Sequence, residues 1–93
     1  MPIKIYSKGN PSDEVAWLCG GDWRLPAQVS ALETWLLHNR SSLKGGPYIA
    51  DVGFSVPQDA GGGGAAMSPE TMGMMAEIGI WLLLSEYPCA DEK

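Results

Sequence analysis

Basic residues are scarce in this chain: six Lys and Arg stand against eleven Asp and Glu, a formal net charge of −5. With a pI near 4.5, the chain has the wrong sign for a protein that gains affinity by neutralising phosphates, so nucleic acid is not expected as a direct ligand. Histidine occurs once, at His38, and cysteine twice, at the widely separated Cys19 and Cys89. A zinc site needs three or four ligands at close spacing, so neither a metal nor a cofactor is expected. Long apolar runs are also missing. The strongly hydrophobic stretch Ile78 to Leu84 has seven residues, whereas a membrane-spanning helix needs about 20. The start, Met1-Pro-Ile-Lys-Ile-Tyr6, lacks the charged-then-apolar layout of a signal peptide, and Cys89 lies one residue too far from the C-terminus for a prenylation box. The expectation is a cytoplasmic protein with no membrane partner and reduced cysteines.

What is present fits one small globular unit over residues 1–93, with 45% hydrophobic and 18% charged residues. Ile3 to Ser7 alternates apolar with polar and predicts a first strand, broken by the turn formers of Lys8 to Ser12. Val15 to Cys19 predicts a second strand, ended by Gly20-Gly21. From Pro26 to Arg40 the period becomes helical: Leu25, Val29, Leu32 and Leu36 form a stripe that Ala31 and Trp35 widen, and Gln28, Glu33, Thr34 and Asn39 lie on the polar side. His38 in the last turn suits the helix dipole.

Tyr48 to Val56 is the clearest strand, with Tyr48, Ala50, Val52, Phe54 and Val56 on its apolar face. Ser68-Pro69-Glu70 supplies a cap, a first-turn proline and a first-turn acid, which predicts a helix to Ile78 stopped by Gly79. Met72, Met75, Ala76 and Ile78 would form its inner surface. Ile80 to Tyr87 is apolar at both parities until Ser85, a pattern expected of a central strand. The fold class expected is α+β: a two-layer sandwich of a four-stranded sheet with two helices packed on one face.

Few residues suggest chemistry. Gly61, Gly62, Gly63 and Gly64 follow a strand and precede a helix, a loose glycine-rich pattern in which Ser68 and the second helix's N-terminus would attract an anion. Ten residues follow the strand where a tight turn would be needed, the chain is too short for a full dinucleotide fold, and no Lys-Ser/Thr follows the glycines. A flexible surface loop is the plainer account. His38 is explained by its helix position, and Cys19 has no basic neighbour to activate it. Four tryptophans are many for 93 residues. Trp35 and Trp81 suit core positions, whereas Trp17 and Trp23, either side of the Cys19 to Asp22 turn, suit an exposed contact surface. Asp22 and Asp51 join them as candidate protein-binding residues.

Tyr48-Ile-Ala-Asp-Val-Gly-Phe54, Met67-Ser-Pro-Glu70 and Ala76-Glu-Ile-Gly-Ile-Trp-Leu-Leu-Leu-Ser-Glu-Tyr87 together resemble the C-terminal half of a family of small bacterial proteins with an uncharacterised domain. The resemblance covers roughly residues 29 to 88. It implies a strand, a capped helix and a final strand, and some members of that family look like toxin-immunity proteins, which implies binding and not catalysis. The N-terminal part here is shorter than the family's pattern, and the resemblance carries no catalytic residue with it.

The expectation is therefore a noncatalytic protein-binding module, immunity-like, whose acidic charge speeds encounter with a basic protein partner. The alternative is a small-ligand or minor enzymatic domain built on Gly61 to Gly64, Asp51 and Ser68 at the second helix's N-terminus. A homodimer joined through an edge strand is compatible with both.

Overall fold

The computed structural model describes residues 2–18, 23–55 and 64–87. Six elements follow in order: β1 (Ile3–Ser7), β2 (Asn10–Leu18), α1 (Leu25–Asn39), β3 (Tyr48–Ser55), α2 (Pro69–Ile78) and β4 (Ile80–Tyr87). The strands form one mixed sheet in the order β2-β1-β3-β4. β1 is antiparallel to both β2 and β3, and β3 runs parallel to β4. A parallel pair needs a crossover, and α2 lies within it. This is the expected α+β class, a four-stranded sheet with two helices.

Both helices pack on the same side of the sheet. Ile3 and Ile5 from β1, Ala50 and Val52 from β3, Leu32 and Leu36 from α1, Met74 and Met75 from α2 and Ile80 from β4 make one buried cluster. Ile3, Ile5, Leu32 and Leu36 are fully enclosed, and each such burial stabilises the fold by about 1.5–3 kcal/mol. α1 lies against β2 and β3, while α2 contacts α1 and β4.

The second helix begins and ends as its sequence dictates. Ser68 Oγ accepts a hydrogen bond from the Thr71 amide at 3.1 Å, satisfying a donor the first turn would leave orphaned. Gly79 stops the helix at φ 94°, in the left-handed region where a side chain is strained, and its amide reaches the Met75 carbonyl.

Five local expectations are corrected. The first turn is tighter than Lys8 to Ser12: Lys8 and Gly9 make it, and β2 already begins at Asn10. Gln28 is not on a polar face but is fully buried, and its Nε2 donates to the Gly53 carbonyl at 2.5 Å. The inner face of α2 is Thr71, Met74 and Met75, with Met72 and Ala76 exposed. Its rotation follows a tie between the helices, in which Thr71 Oγ1 donates to Glu33 Oε2 at 2.6 Å. β4 is an edge strand and not a central one, since among the described residues β3 is its only paired neighbour in the sheet. Trp81, expected in the core, is consequently 61% exposed.

Candidate functional site

Register assigns each strand residue to a face. Ile3, Ile5, Ala50 and Val52 point to the helices, so their neighbours Lys4, Tyr6, Ile49, Asp51 and Gly53 point away. Trp17 and Glu14 pair with Lys4 and Tyr6 and join this second face from β2. Trp81, Leu83, Ser85 and Tyr87 join it from β4, opposite Ile49, Asp51, Gly53 and Ser55. Among the described residues no helix lies on this face, because α1 and α2 share the other one.

Aromatic rings and two lysines lie together on it. The Lys4 ammonium sits 5.1 Å from the Tyr6 ring centre and 5.6 Å from that of Trp17. Lys4 also pairs with Glu14 at 3.5 Å, and Glu14 accepts a hydrogen bond from the Trp17 indole at 2.9 Å. At the other side Lys8 lies 4.8 Å over the Trp81 ring. Each contact at an exposed site contributes about 0.5–1 kcal/mol, enough to orient a ring without hiding it. Trp17 remains 48% exposed and Leu83 43% exposed. Asp51 is half-buried between them and accepts a hydrogen bond from Ser85 Oγ at 2.7 Å.

One corner of the face is closed. Trp23 and Tyr87 meet edge to face, 5.4 Å between ring centres at 72°. They cover Gly53, where an added Cβ would stand 2.9 Å from Tyr87 Cε1 and 3.4 Å from Trp23 Cζ3. Glycine at 53 is what lets both rings lie on the strand. Trp23 is thus half-buried and less available than Trp17.

Of the residues the sequence singled out, Trp17, Trp23 and Asp51 share the open face, and Asp22 lies outside the described residues. Trp81, Leu83, Tyr6 and the two lysines were missed. Their signal was present as alternation: Lys4 and Tyr6 are the polar parity of β1, and Trp81 and Leu83 share a parity of β4.

The other candidate site lies at the start of α2. Gly61, Gly62 and Gly63 fall outside the described residues, while Gly64 is exposed. Ser68 is engaged inside the protein. Its Oγ lies 3.1 Å from Glu33 Oε2 and 3.0 Å from Thr71 Oγ1, so the Glu33 carboxylate occupies the place an anion would take at this helix end. Hydrogen bonds from Thr71 and then Ser68 hold the Glu33 carboxyl below its ordinary value, outweighing the upward push of burial.

His38 is exposed and its Nδ1 lies 2.9 Å from the Thr34 carbonyl. It borders a shallow depression of about 590 Å³ with Leu18, Ser30, Ala31, Thr34 and Trp35. A second depression of about 270 Å³ between the helix ends carries Arg40, Lys44 and Glu77. Among the described residues no group of three His, Cys, Asp or Glu side chains is placed to hold a metal ion. No helix among them is long and apolar enough to cross a membrane.

Comparison with protein-family models, curated proteins and solved structures finds no match.

Proposed function

We propose that this chain is a noncatalytic protein-binding module that presents the open face of its sheet to a partner. The observation that carries the reading is the exposure of Trp17 on β2 and of Trp81 and Leu83 on β4, on a face free of described helices. Large aromatic side chains concentrate binding energy, and a rigid sheet presents them at little entropic cost. Lys4, Lys8, Glu14 and Asp51 supply the polar surround that fixes orientation. The net charge of −5 favours a basic partner. An immunity-like role, in which that partner is a basic toxin such as a nuclease, is the finer form of the same proposal and draws on the family resemblance.

The test is capture of the tagged protein's partners from its own host at low and moderate salt, followed by binding of the purified partner to variants. Trp17→Ala and Trp81→Ala are each expected to weaken binding at least about tenfold and to leave the far-UV circular dichroism unchanged. An empty capture at low salt, or an identified interaction that neither variant affects, would overturn the reading. For the ligand alternative, Glu33 competes with any anion at the start of α2. Millimolar nucleotide or phosphate is therefore expected to leave the melting temperature unchanged.

A further inference from the structure

Basic side chains are few in this chain, and two of them are left unanswered by it. Lys4 pairs with Glu14 and lies against Tyr6 and Trp17, and Lys8 lies over Trp81. Arg40 and Lys44 differ: neither side chain makes an ion pair, a hydrogen bond or a ring contact with any described residue, although the chain carries an excess of acid. Both line the hollow of about 270 Å³ between the C-terminal ends of α1 and α2, with Leu43, Met74, Glu77 and Ile78. Cations near a helix C-terminus often serve its last carbonyls. Here backbone amides take that part. The Leu36 and Asn39 carbonyls accept from the Arg40 and Ser42 amides at 2.9 and 3.0 Å, and the Met75, Ile78 and Gly79 carbonyls accept from the Gly79, Gly46 and Tyr48 amides at 2.8, 2.8 and 2.9 Å. Two of these bonds tie the connector to the end of α2, and Tyr48 Oη donates to the Lys44 carbonyl at 2.8 Å, so the walls of the hollow are held in place.

We propose that this hollow binds the zwitterion of a free amino acid with an apolar side chain. Its lining has a match for each part of such a molecule. Arg40 and Lys44 supply donors for a carboxylate, which a guanidinium can hold through two parallel hydrogen bonds. Glu77, in the last turn of α2, accepts from an ammonium group. Leu43, Met74 and Ile78 offer apolar contact to the side chain. A simple anion such as phosphate would face Glu77 and leave the apolar part uncovered. A simple cation would face Arg40 and Lys44, and an uncharged apolar molecule would cover three charges without pairing them. The volume lies just below the range of about 300–1,000 Å³ for sites of drug-sized ligands, which suits a molecule of amino-acid size. Arg40, Lys44 and Glu77 are exposed, so each pairing is screened by water and the expected complex is weak, with a Kd of about 0.1–1 mM. None of these residues belongs to the open face of the sheet, so the inference stands apart from the proposal for that face.

The test is an amide NMR titration of the full chain with leucine, which is expected to give saturable shifts at residues 43–45 and 77–78. Three relatives of leucine probe the three parts of the site on the unmodified chain. Isocaproate, which lacks the ammonium, and isoamylamine, which lacks the carboxylate, should each bind about threefold more weakly. Glycine, which lacks the apolar side chain, should bind at least about tenfold more weakly. Arg40→Gln combined with Lys44→Gln should weaken leucine about tenfold and leave isoamylamine unchanged, whereas Glu77→Gln should weaken leucine about threefold and leave isocaproate unchanged. These positions are exposed, so the ligand-free spectra should keep the dispersion of the unmodified chain. No shift with leucine up to about 10 mM, ten times the weaker end of the expected range, would overturn the proposal. So would shifts confined to residues outside the hollow, isocaproate or glycine binding as tightly as leucine, or a folded double variant that holds leucine with the original affinity.

Discussion

The two outer strands of this sheet differ in how their side chains are satisfied. On β2, Asp13 accepts from Ser7 Oγ at 2.8 Å, and Glu14 is held by Lys4 and by the Trp17 indole. Its polar groups are answered from within the hairpin, and its register breaks prevent a regular ladder from forming outward. On β4 the side chains from Trp81 to Leu84 are all apolar and all substantially exposed. The difference teaches that strand composition alone does not mark an edge. One edge is shaped to stay single, and the other has the composition of an interior strand without the neighbours of one.

The largest expected effect separates the centre of the sheet from its β4 edge. Ile5→Ala, in the enclosed part of the core, should lower unfolding free energy by about 2–5 kcal/mol in urea titration. Leu84→Ala, on the same face and exposed, should cost only about 0.5 kcal/mol. Equal losses would mean that the β4 edge is as well packed as the centre.

The tie that sets the position of α2 comes next. Ser68→Ala removes the cap and one partner of Glu33, for a loss of about 1 kcal/mol. Because the folded chain holds the Glu33 carboxyl below its ordinary value, its contribution is present above the ordinary carboxylate range. It is lost as pH falls through the lower folded value. Glu33→Gln should therefore flatten the acid side of the stability–pH profile, as followed by thermal melts at stepped pH. An unchanged profile would detach α2's position from this carboxylate.

The smallest effect on stability should come from stripping β2 of Pro11 and Asp13, a proline and a charge of the kind that stops an edge from accepting another strand. Pro11→Val combined with Asp13→Val is expected to change unfolding free energy by no more than about 0.5 kcal/mol. Light scattering at high concentration should nonetheless rise, as an unprotected edge would require. If scattering stays flat, the register breaks of β2 suffice without proline and charge.

Much of the fold was legible along the chain because its signals are local. The Ser68 cap, the Gly79 stop and the strand from Tyr48 each depend on a few adjacent residues, and all appear as the pattern predicts, with Val56 outside the described residues. Less of the candidate face could be read. Trp17 and Asp51 were identified by residue type, but Trp81 was assigned to the core since its strand is apolar at both parities. Gln28 was assigned to solvent because its partner, the Gly53 carbonyl, is 25 residues away. Neither assignment could be corrected by periodicity, which reports how a strand or helix is patterned and not what lies beside it.

By itself, then, the sequence determined six elements, their approximate limits apart from the start of β2, the α+β class and an acidic composition with an excess of tryptophan. Those follow from backbone preference, capping and hydrophobic period, which act over one or two turns of chain. The tertiary structure decided that β4 is an edge, that the aromatic residues of β1, β2 and β4 share one open face, and that Glu33 meets the start of α2. These depend on strand order and on contacts distant in sequence, where the geometry of the whole sheet determines which apolar side chains find a neighbour.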